Sequence, residues 1–183
     1  MKVVLIVVGI LVALIAIVFI VGALLPRDHV AGSSIVVSQP ADIVWRAVRD
    51  IGGVTAWWPD VSSSQRVADS AGREVWEQKA SGFTMRLIVT EDAPPRRLVM
   101  TIDAGADAPF GGKWTYEITP TDGGTRVSVT EAGYVSNPLF RFMSRFVMGY
   151  YSTQDKYLRA LARKFGSNAE PVHATLPPVA ASK

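Results

Sequence analysis

Hydrophobic side chains between residues 137 and 166 recur every three, four or seven positions, which is the spacing of one face of an α-helix. Asn137 followed by Pro138 is a typical helix start, because the Asn side chain accepts a hydrogen bond from a free backbone N–H and Pro at the first position has no N–H to lose. Gly166 is a typical end. The pattern predicts one amphipathic helix of about 28 residues, roughly 42 Å long. Its apolar face is formed by Leu139, Phe142, Met143, Phe146, Tyr150, Tyr157 and Leu161.

Upstream of this helix, hydrophobic and polar residues alternate, which is typical of strands with one buried face. Two short helices are predicted after the first strand, at residues 40–51 and 54–58, and a loose loop at residues 104–112. A sheet with one apolar face must curl around the long helix to bury both apolar surfaces. The pattern therefore predicts an α+β fold in which a curved antiparallel β-sheet wraps around a C-terminal α-helix. The strands are predicted at residues 34–38, 73–79, 83–90, 98–102, 114–119 and 126–130, with a hairpin turn at residues 122–124.

Residues 3–25 form an apolar run that only two glycines interrupt. A helix of that length spans roughly 34 Å, enough to cross a hydrocarbon core of about 30 Å, so we predict one uncleaved transmembrane anchor. A cleaved signal peptide is the alternative, but its apolar region has about 7–15 residues and ends in a small-x-small site. Lys2 precedes the run and Arg27 follows it beside Asp28, which favours a cytoplasmic N-terminus and a non-cytoplasmic domain.

The chain is predicted to contain one folded domain, because roughly 150 residues outside the apolar run suit a single core. An anchor at residues 1–25 is followed by a linker at residues 26–33 and by the domain at residues 34–166. Such a linker reaches at most about 28 Å and keeps the domain close to the bilayer. Residues 167–183 contain three prolines and no hydrophobic period, which is typical of a disordered tail.

Composition and charge narrow the possible partners. The chain has 19 basic and 16 acidic residues, and six of the basic residues lie in residues 137–166 with only one acidic residue. This basic helix face meets solvent or anionic lipid headgroups. Nucleic acid is not expected, because aromatic residues are not interleaved with the arginines. The absence of cysteine excludes disulfides, thiol nucleophiles and thiolate metal sites.

Glu131 is the strongest candidate for acid or base chemistry. It continues the inward series of Val127 and Val129 at a position where a hydrophobic residue is expected. A carboxylate buried there is suited to act as an acid or a base near neutral pH. Tyr116, on a neighbouring inward row, is placed to donate a hydrogen bond to a ligand carbonyl. The alternative is that Glu131 lies at the end of its strand, exposed or paired with an arginine.

Several short stretches together resemble one family. They are residues 35–45, Trp57-Trp58-Pro59, residues 110–116, residues 123–127 and Asn137-Pro138-Leu139. In this order they resemble the helix-grip superfamily, also called START-like or SRPBCC, and in particular its polyketide cyclase/dehydrase and lipid-transport branch. The resemblance covers about residues 30–166 and implies a deep, largely apolar cavity between the sheet and the long helix. The family includes cyclases, lipid carriers and ligand-binding modules, so the fold alone does not decide the function.

The inward faces carry large side chains that either line such a cavity or fill it as ordinary core. Adjacent Trp57 and Trp58 cannot both face inward, so we expect one at the rim or the surface, in contact with a ligand or the membrane interface. Met143 is also expected to face inward. The predicted ligand-binding residues are Trp57, Trp58, Phe83, Met85, Trp114, Tyr116, Glu131, Phe142, Phe146 and Tyr150.

Three functions remain open at this point. The favoured one is a membrane-tethered carrier or sensor of a hydrophobic small molecule or lipid. The second is a cyclase or dehydratase that uses Glu131 and Tyr116, and the third is an interaction domain with a filled core. His29 is predicted beside the membrane and His173 in the tail, so no histidine is expected as a core base or metal ligand, which weakens the enzyme hypothesis. We predict neither a metal nor a cofactor.

Overall fold

One eight-stranded antiparallel sheet forms the centre of the computed structural model, which describes residues 1–80, 82–103 and 110–174. Its strands are β1 (Asp28–Val37), β2 (Val61–Ser70), β3 (Arg73–Ala80), β4 (Phe83–Ala93), β5 (Arg97–Asp103), β6 (Phe110–Thr121), β7 (Gly124–Val135) and β8 (Val172–His173). The spatial order is β2-β3-β4-β5-β6-β7-β1-β8. Register shifts in the β2–β3 and β4–β5 pairs bend the sheet. The predicted α+β class, with a curved sheet and a C-terminal helix, is confirmed.

The first helix of the domain, α2 (Ala41–Arg49), packs its apolar face against β6 and β7. A short 3₁₀ turn, Gly52–Ala56, follows it and begins two residues before the short helix predicted at residues 54–58. Arg49 at the end of α2 fixes the helix to two strands, because its guanidinium donates hydrogen bonds to Glu74 on β3 and, over 2.8 Å, to Asp92 on β4. The two short helices therefore cover one end of the concave face.

The C-terminal helix is interrupted, so the prediction of one unbroken helix was wrong. It consists of α3 (Pro138–Met143), a π-helical turn (Ser144–Met148) and α4 (Ser152–Lys164). The predicted start is confirmed, since the Asn137 side chain accepts hydrogen bonds from the N–H groups of Leu139 and Phe140. Gly149 has φ +78°, a left-handed conformation that ends the π turn. Helix α4 lies across the sheet and packs against β1 and β7, whereas α3 contacts β7 and the end of α1.

Strand β1 begins six residues earlier than the predicted strand, so most of the predicted linker at residues 26–33 is part of the sheet. Its small and polar residues have little strand propensity, but pairing with β7 on one side and β8 on the other holds them extended. Strand β2 was not predicted, because its sequence is largely polar. Residues 104–109 of the predicted loop lie outside the described residues, and residues 110–112 belong to β6.

Part of the predicted disordered tail is ordered against the sheet. Val172–His173 forms β8, and the His173 ring nitrogen lies 2.9 Å from the Asp155 carboxylate of α4. Asp155 also accepts a hydrogen bond from Ser33 of β1 over 2.8 Å. These contacts tie the segment after α4 to the body of the domain, whereas residues 175–183 lie outside the described part of the chain.

The N-terminal helix α1 (Lys2–Leu24) is long and apolar enough to cross a membrane, and its side chains are exposed along nearly its whole length. It contacts the domain at its C-terminal end. There a Cβ on Gly22 would lie 2.0 Å from the Pro138 carbonyl oxygen of α3. Arg141 of α3 donates hydrogen bonds to the carbonyls of Ala23 and Leu25, the latter over 2.8 Å. The helix end is thus fixed to α3.

Candidate functional site

A cavity of about 480 Å³ lies between the concave face of the sheet and the C-terminal helices. Its volume falls within the range of about 300–1,000 Å³ that is usual for small-molecule sites. Most of the lining is apolar and comes from the sheet, α2, the 3₁₀ turn and the C-terminal segment. These apolar residues are Val48, Ile51, Val54, Trp58, Ala80, Phe83, Met85, Leu87, Met100, Ile102, Phe110, Trp114, Val135, Phe140 and Met148.

Seven of the ten predicted ligand-binding residues line this cavity, namely Trp58, Phe83, Met85, Trp114, Tyr116, Glu131 and Tyr150. The other three lie elsewhere. Phe142 and Phe146 pack against each other with ring centroids 4.9 Å apart, and Phe146 is 58% exposed, because the π turn rotates this segment relative to an unbroken α-helix. Trp57 packs edge-on against Tyr157 outside the cavity, while Trp58 faces into it.

An aromatic cluster forms one wall of the cavity around Tyr157 of α4. The Tyr157 ring makes edge contacts with Trp58, Trp114 and Tyr116, at centroid distances of 5.1, 6.3 and 5.4 Å. Burial raises the pKa of both Tyr157 and Tyr116 well above the ordinary value, and the neighbouring Tyr157 and Glu131 raise that of Tyr116 further. Both phenols are therefore neutral at physiological pH and available as hydrogen-bond partners.

A polar corner of the cavity is formed by Glu131, His29 and Tyr150. The Glu131 carboxylate lies 3.4 Å from Nε2 of His29 and accepts a hydrogen bond from the Gln154 amide over 3.2 Å. The His29 ring stacks on Tyr150 at 4.8 Å between centroids. The side chains of His29 and Glu131 are only 12% and 20% exposed. Such a shielded carboxylate–imidazole pair binds a polar ligand group or moves a proton.

His29 corrects the expectation that no histidine lies in the core. The sequence assigned it to a linker, whereas it occupies β1 and lies opposite Gly133 of β7. The glycine leaves room for the imidazole, because a Cβ at residue 133 would lie 3.1 Å from the His29 ring and 3.2 Å from the Glu131 carboxylate. Small and polar residues fall on both faces of the first half of β1, so the sequence carries no period-two signal that could have revealed this part of the strand.

Three buried ring nitrogens on the lining residues have no hydrogen-bond partner within the described ranges. They are Nδ1 of His29 and the indole nitrogens of Trp58 and Trp114. Buried polar groups are rarely left unpaired, because the loss of a hydrogen bond to water costs about 1–3 kcal/mol. Each belongs to a side chain that lines the cavity, so hydrogen-bonding capacity is concentrated around an otherwise apolar space.

A family model described as polyketide cyclase / dehydrase and lipid transport matches residues 29–166. The chain belongs to this family. The resemblance drawn from its short motifs is thereby confirmed, over nearly the range expected. No curated protein sequence matches the chain. The family contains both cyclases and lipid-transport proteins by its own description, so membership supports a hydrophobic ligand without selecting between catalysis and binding.

Solved structures share the fold at low sequence identity. The Zhui aromatase/cyclase from Streptomyces sp. R1128 superposes with a TM-score of 0.61 at 15% identity, covering 76% of this chain and 94% of that protein. The di-domain aromatase/cyclase StfQ of the steffimycin biosynthetic pathway has a TM-score of 0.61 at 12% identity and covers 76% of this chain, which spans only 50% of StfQ. A conserved protein from Geobacillus kaustophilus has a TM-score of 0.60 at 14% identity, with 79% and 100% covered. These similarities establish the helix-grip fold.

Proposed function

We propose that the protein is a membrane-anchored binder of a hydrophobic small molecule or lipid, which it holds in the cavity between the sheet and the C-terminal helices. The observation that carries the proposal is a cavity of about 480 Å³ with a mainly apolar lining and a shielded polar corner formed by His29 and Glu131. An apolar body that carries a polar group fits this arrangement, and Gln78, Ser152 and Lys156 add further polar lining. The space also argues against an interaction domain with a filled core.

The anchor in this proposal is α1, uncleaved, with the domain on the non-cytoplasmic side. The length and composition of α1 support the anchor, and the lysine before it supports the orientation. The packing of Gly22 on Pro138 gives the helix a structural role that a removed signal peptide would not have. The bilayer then serves as the source or the destination of the ligand.

Native mass spectrometry of the full chain, released from nanodiscs, tests the binding. We expect adducts of apolar molecules on the wild-type protein and their loss in Ala80→Trp, because Ala80 lines the cavity and an indole there occupies its volume. Ala68→Trp is the matched control, since Ala68 is exposed on β2 outside the cavity lining. Equal adducts in both variants, or none on the wild type, would contradict the proposal.

A cyclase or dehydratase is the second candidate, favoured by the contact between His29 and Glu131 next to the neutral Tyr116 phenol. In this case Glu131 accepts or delivers a proton while Tyr116 orients a carbonyl. The test is incubation with a poly-β-ketone thioester and analysis of products by mass spectrometry. Cyclised product that disappears in Glu131→Gln but persists in the exposed control Glu117→Gln would support catalysis. If the wild type forms no product, the cyclase hypothesis is contradicted and only the binding function stands.

A further inference from the structure

A second apolar surface, separate from α1, is exposed beside its C-terminal end. It belongs to residues 138–148, which comprise α3 and the π turn and are called the interfacial segment below. Phe146, Val147 and Met148 are 58%, 63% and 53% exposed, and Leu139 and Phe140 are also exposed. Soluble proteins rarely expose such a contiguous apolar patch without a binding partner. The patch therefore needs an occupant.

The position of α1 identifies the occupant. Pro138 packs against Gly22 near the end of α1, and Arg141 donates hydrogen bonds to the carbonyls of Ala23 and Leu25. The interfacial segment is thus held at the level where a membrane-spanning helix leaves the hydrocarbon core. Arg27, three residues after the end of α1, and Arg145 in the interfacial segment are both exposed and complement anionic headgroups.

The same segment also forms part of the cavity wall. Phe140, Ser144 and Met148 recur every four residues and line the cavity, while Val147 points away from it. Met148 is both half-exposed and part of the lining, so the outer surface and the cavity meet at this residue. An acyl chain at the membrane surface therefore lies within one helix diameter of the cavity.

We propose that the interfacial segment lies in the headgroup–acyl boundary of the bilayer that α1 spans, and that the cavity exchanges its ligand with the acyl region through this segment. This inference rests on the proposed anchor, and it adds a second membrane contact to it. The ligand is then a membrane-resident molecule with an acyl or isoprenoid-like body, rather than a water-borne solute. The left-handed Gly149 and the π turn provide the backbone irregularity at which the segment can move relative to α4.

Depth-dependent fluorescence quenching tests the membrane contact. The chain has no cysteine, so single cysteines can be labelled with an NBD fluorophore in the full chain, reconstituted into phosphatidylcholine/phosphatidylglycerol vesicles. We expect doxyl-phosphatidylcholine to remove about half or more of the emission from labels at Ile10→Cys and Val147→Cys. The control is Asp122→Cys in the β6–β7 turn, roughly 36 Å along the strands from the end beside α1, where we expect no quenching.

The two membrane contacts fail in distinguishable ways. If the label at residue 10 is quenched and the label at residue 147 is not, the membrane contact of the interfacial segment is overturned and the anchor stands. An unquenched label at residue 10 would overturn the anchor, and the inference with it.

Ligand exchange is tested separately with Phe146→Asp/Val147→Asp, two exposed positions outside the cavity lining. The probe is a pyrene-labelled fatty acid supplied in donor vesicles, and its arrival is measured by energy transfer from tryptophan. We expect the rate of loading to fall several-fold while circular dichroism and the final bound fraction stay at the wild-type level. The matched control is Ala68→Asp/Thr119→Asp, which adds the same charge at exposed positions near the far end of the sheet. An unchanged loading rate in the first variant would overturn the exchange route.

Discussion

Glu131 and His29, on the paired strands β7 and β1, form the polar corner of the cavity. Glu131 lines the cavity, on the side of the sheet that the period of two along β7 assigns to it. His29 was missed, because the first half of β1 consists mainly of small and polar residues whose extended conformation depends on pairing with β7 rather than on local propensity. Alternation along a strand thus predicted which side of the sheet a residue occupies. It could not predict which distant segment forms the neighbouring strand.

Gly133 leaves the space that the His29–Glu131 contact requires. In Gly133→Ala the new Cβ would meet the Gly111 carbonyl oxygen at 3.0 Å and both side chains of the pair at 3.1 and 3.2 Å. We expect a loss of about 1–3 kcal/mol in the free energy of unfolding, together with reduced adducts in native mass spectrometry. Gly123→Ala is the control, because nothing lies within 4 Å of its Cβ. Equal stability of the two variants in denaturant unfolding would argue against the tight fit.

The buried Tyr116 phenol is expected to make the free energy of unfolding fall at alkaline pH. Its raised pKa means that the folded protein keeps the phenol proton while the unfolded chain loses it above about pH 10. Stability is therefore fully present below that pH and falls as pH rises above it. We expect Tyr116→Phe to reduce this fall by an amount that approaches about 1.4 kcal/mol per pH unit above pH 10, measured by denaturant unfolding between pH 9.5 and 11. Parallel curves for wild type and variant would show that the phenol is not held neutral.

At the scale of elements, the strands with clear alternation were predicted and the irregular features were not. The helical period continued through residues 138–161 in the sequence, yet Gly149 interrupts the helix and the π turn rotates Phe146 out of the cavity. The spacing of hydrophobic residues shows which residues would share a helix face, but it does not show that the backbone leaves the helical conformation at Gly149. Strand β2 was missed for the opposite reason, since an edge strand with a polar surface has no stripe to detect.

The Arg49–Glu74 ion pair joins α2 to β3 and gives a prediction at this scale. The hydrogen bond from Arg49 lowers the pKa of Glu74, so the stabilisation is present above about pH 4.5 and is lost as pH falls through the lower, folded-state pKa. We expect Glu74→Gln to lower the free energy of unfolding by about 1 kcal/mol at pH 7 and by much less at pH 3. Asp122→Asn, in an exposed turn, is the control. A loss that is the same at both pH values would exclude the ion pair as its cause.

At the scale of the whole molecule, an apolar helix and a cavity-bearing domain meet at α3. The separate existence of each was predictable from composition and pattern, because long apolar runs and alternating strands leave strong signals. Their contact was not, since it depends on Gly22 allowing close approach and on Arg141 reaching carbonyls more than a hundred positions away in sequence.

Membrane association through α1 is the prediction for the molecule as a whole. Leu11→Lys/Leu14→Lys places two charges in the middle of the apolar helix, where each opposes insertion by about 2.5–3.5 kcal/mol. We expect the wild-type chain to stay in the carbonate-washed membrane fraction with its N-terminal peptide intact by mass spectrometry, and the variant to leave that fraction. Ala68→Lys/Thr119→Lys adds the same charge at exposed positions of the domain and serves as the control. Loss of the N-terminal peptide from the wild type would identify a cleaved signal instead.

The connection between α1 and β1 is short, and this limits how far the domain can move from the membrane. Only residues 25–27 lie between Leu24 and Asp28, a connection that reaches roughly 10 Å. The hydrogen bond from Arg141 to the Leu25 carbonyl restricts this connection further. With so small a radius of action, an anchored domain cannot shuttle cargo across an aqueous compartment. A ligand bound for a second membrane would therefore need a diffusible acceptor protein. Within the proposed function, the short connection favours sensing or local presentation of the ligand over transport between membranes.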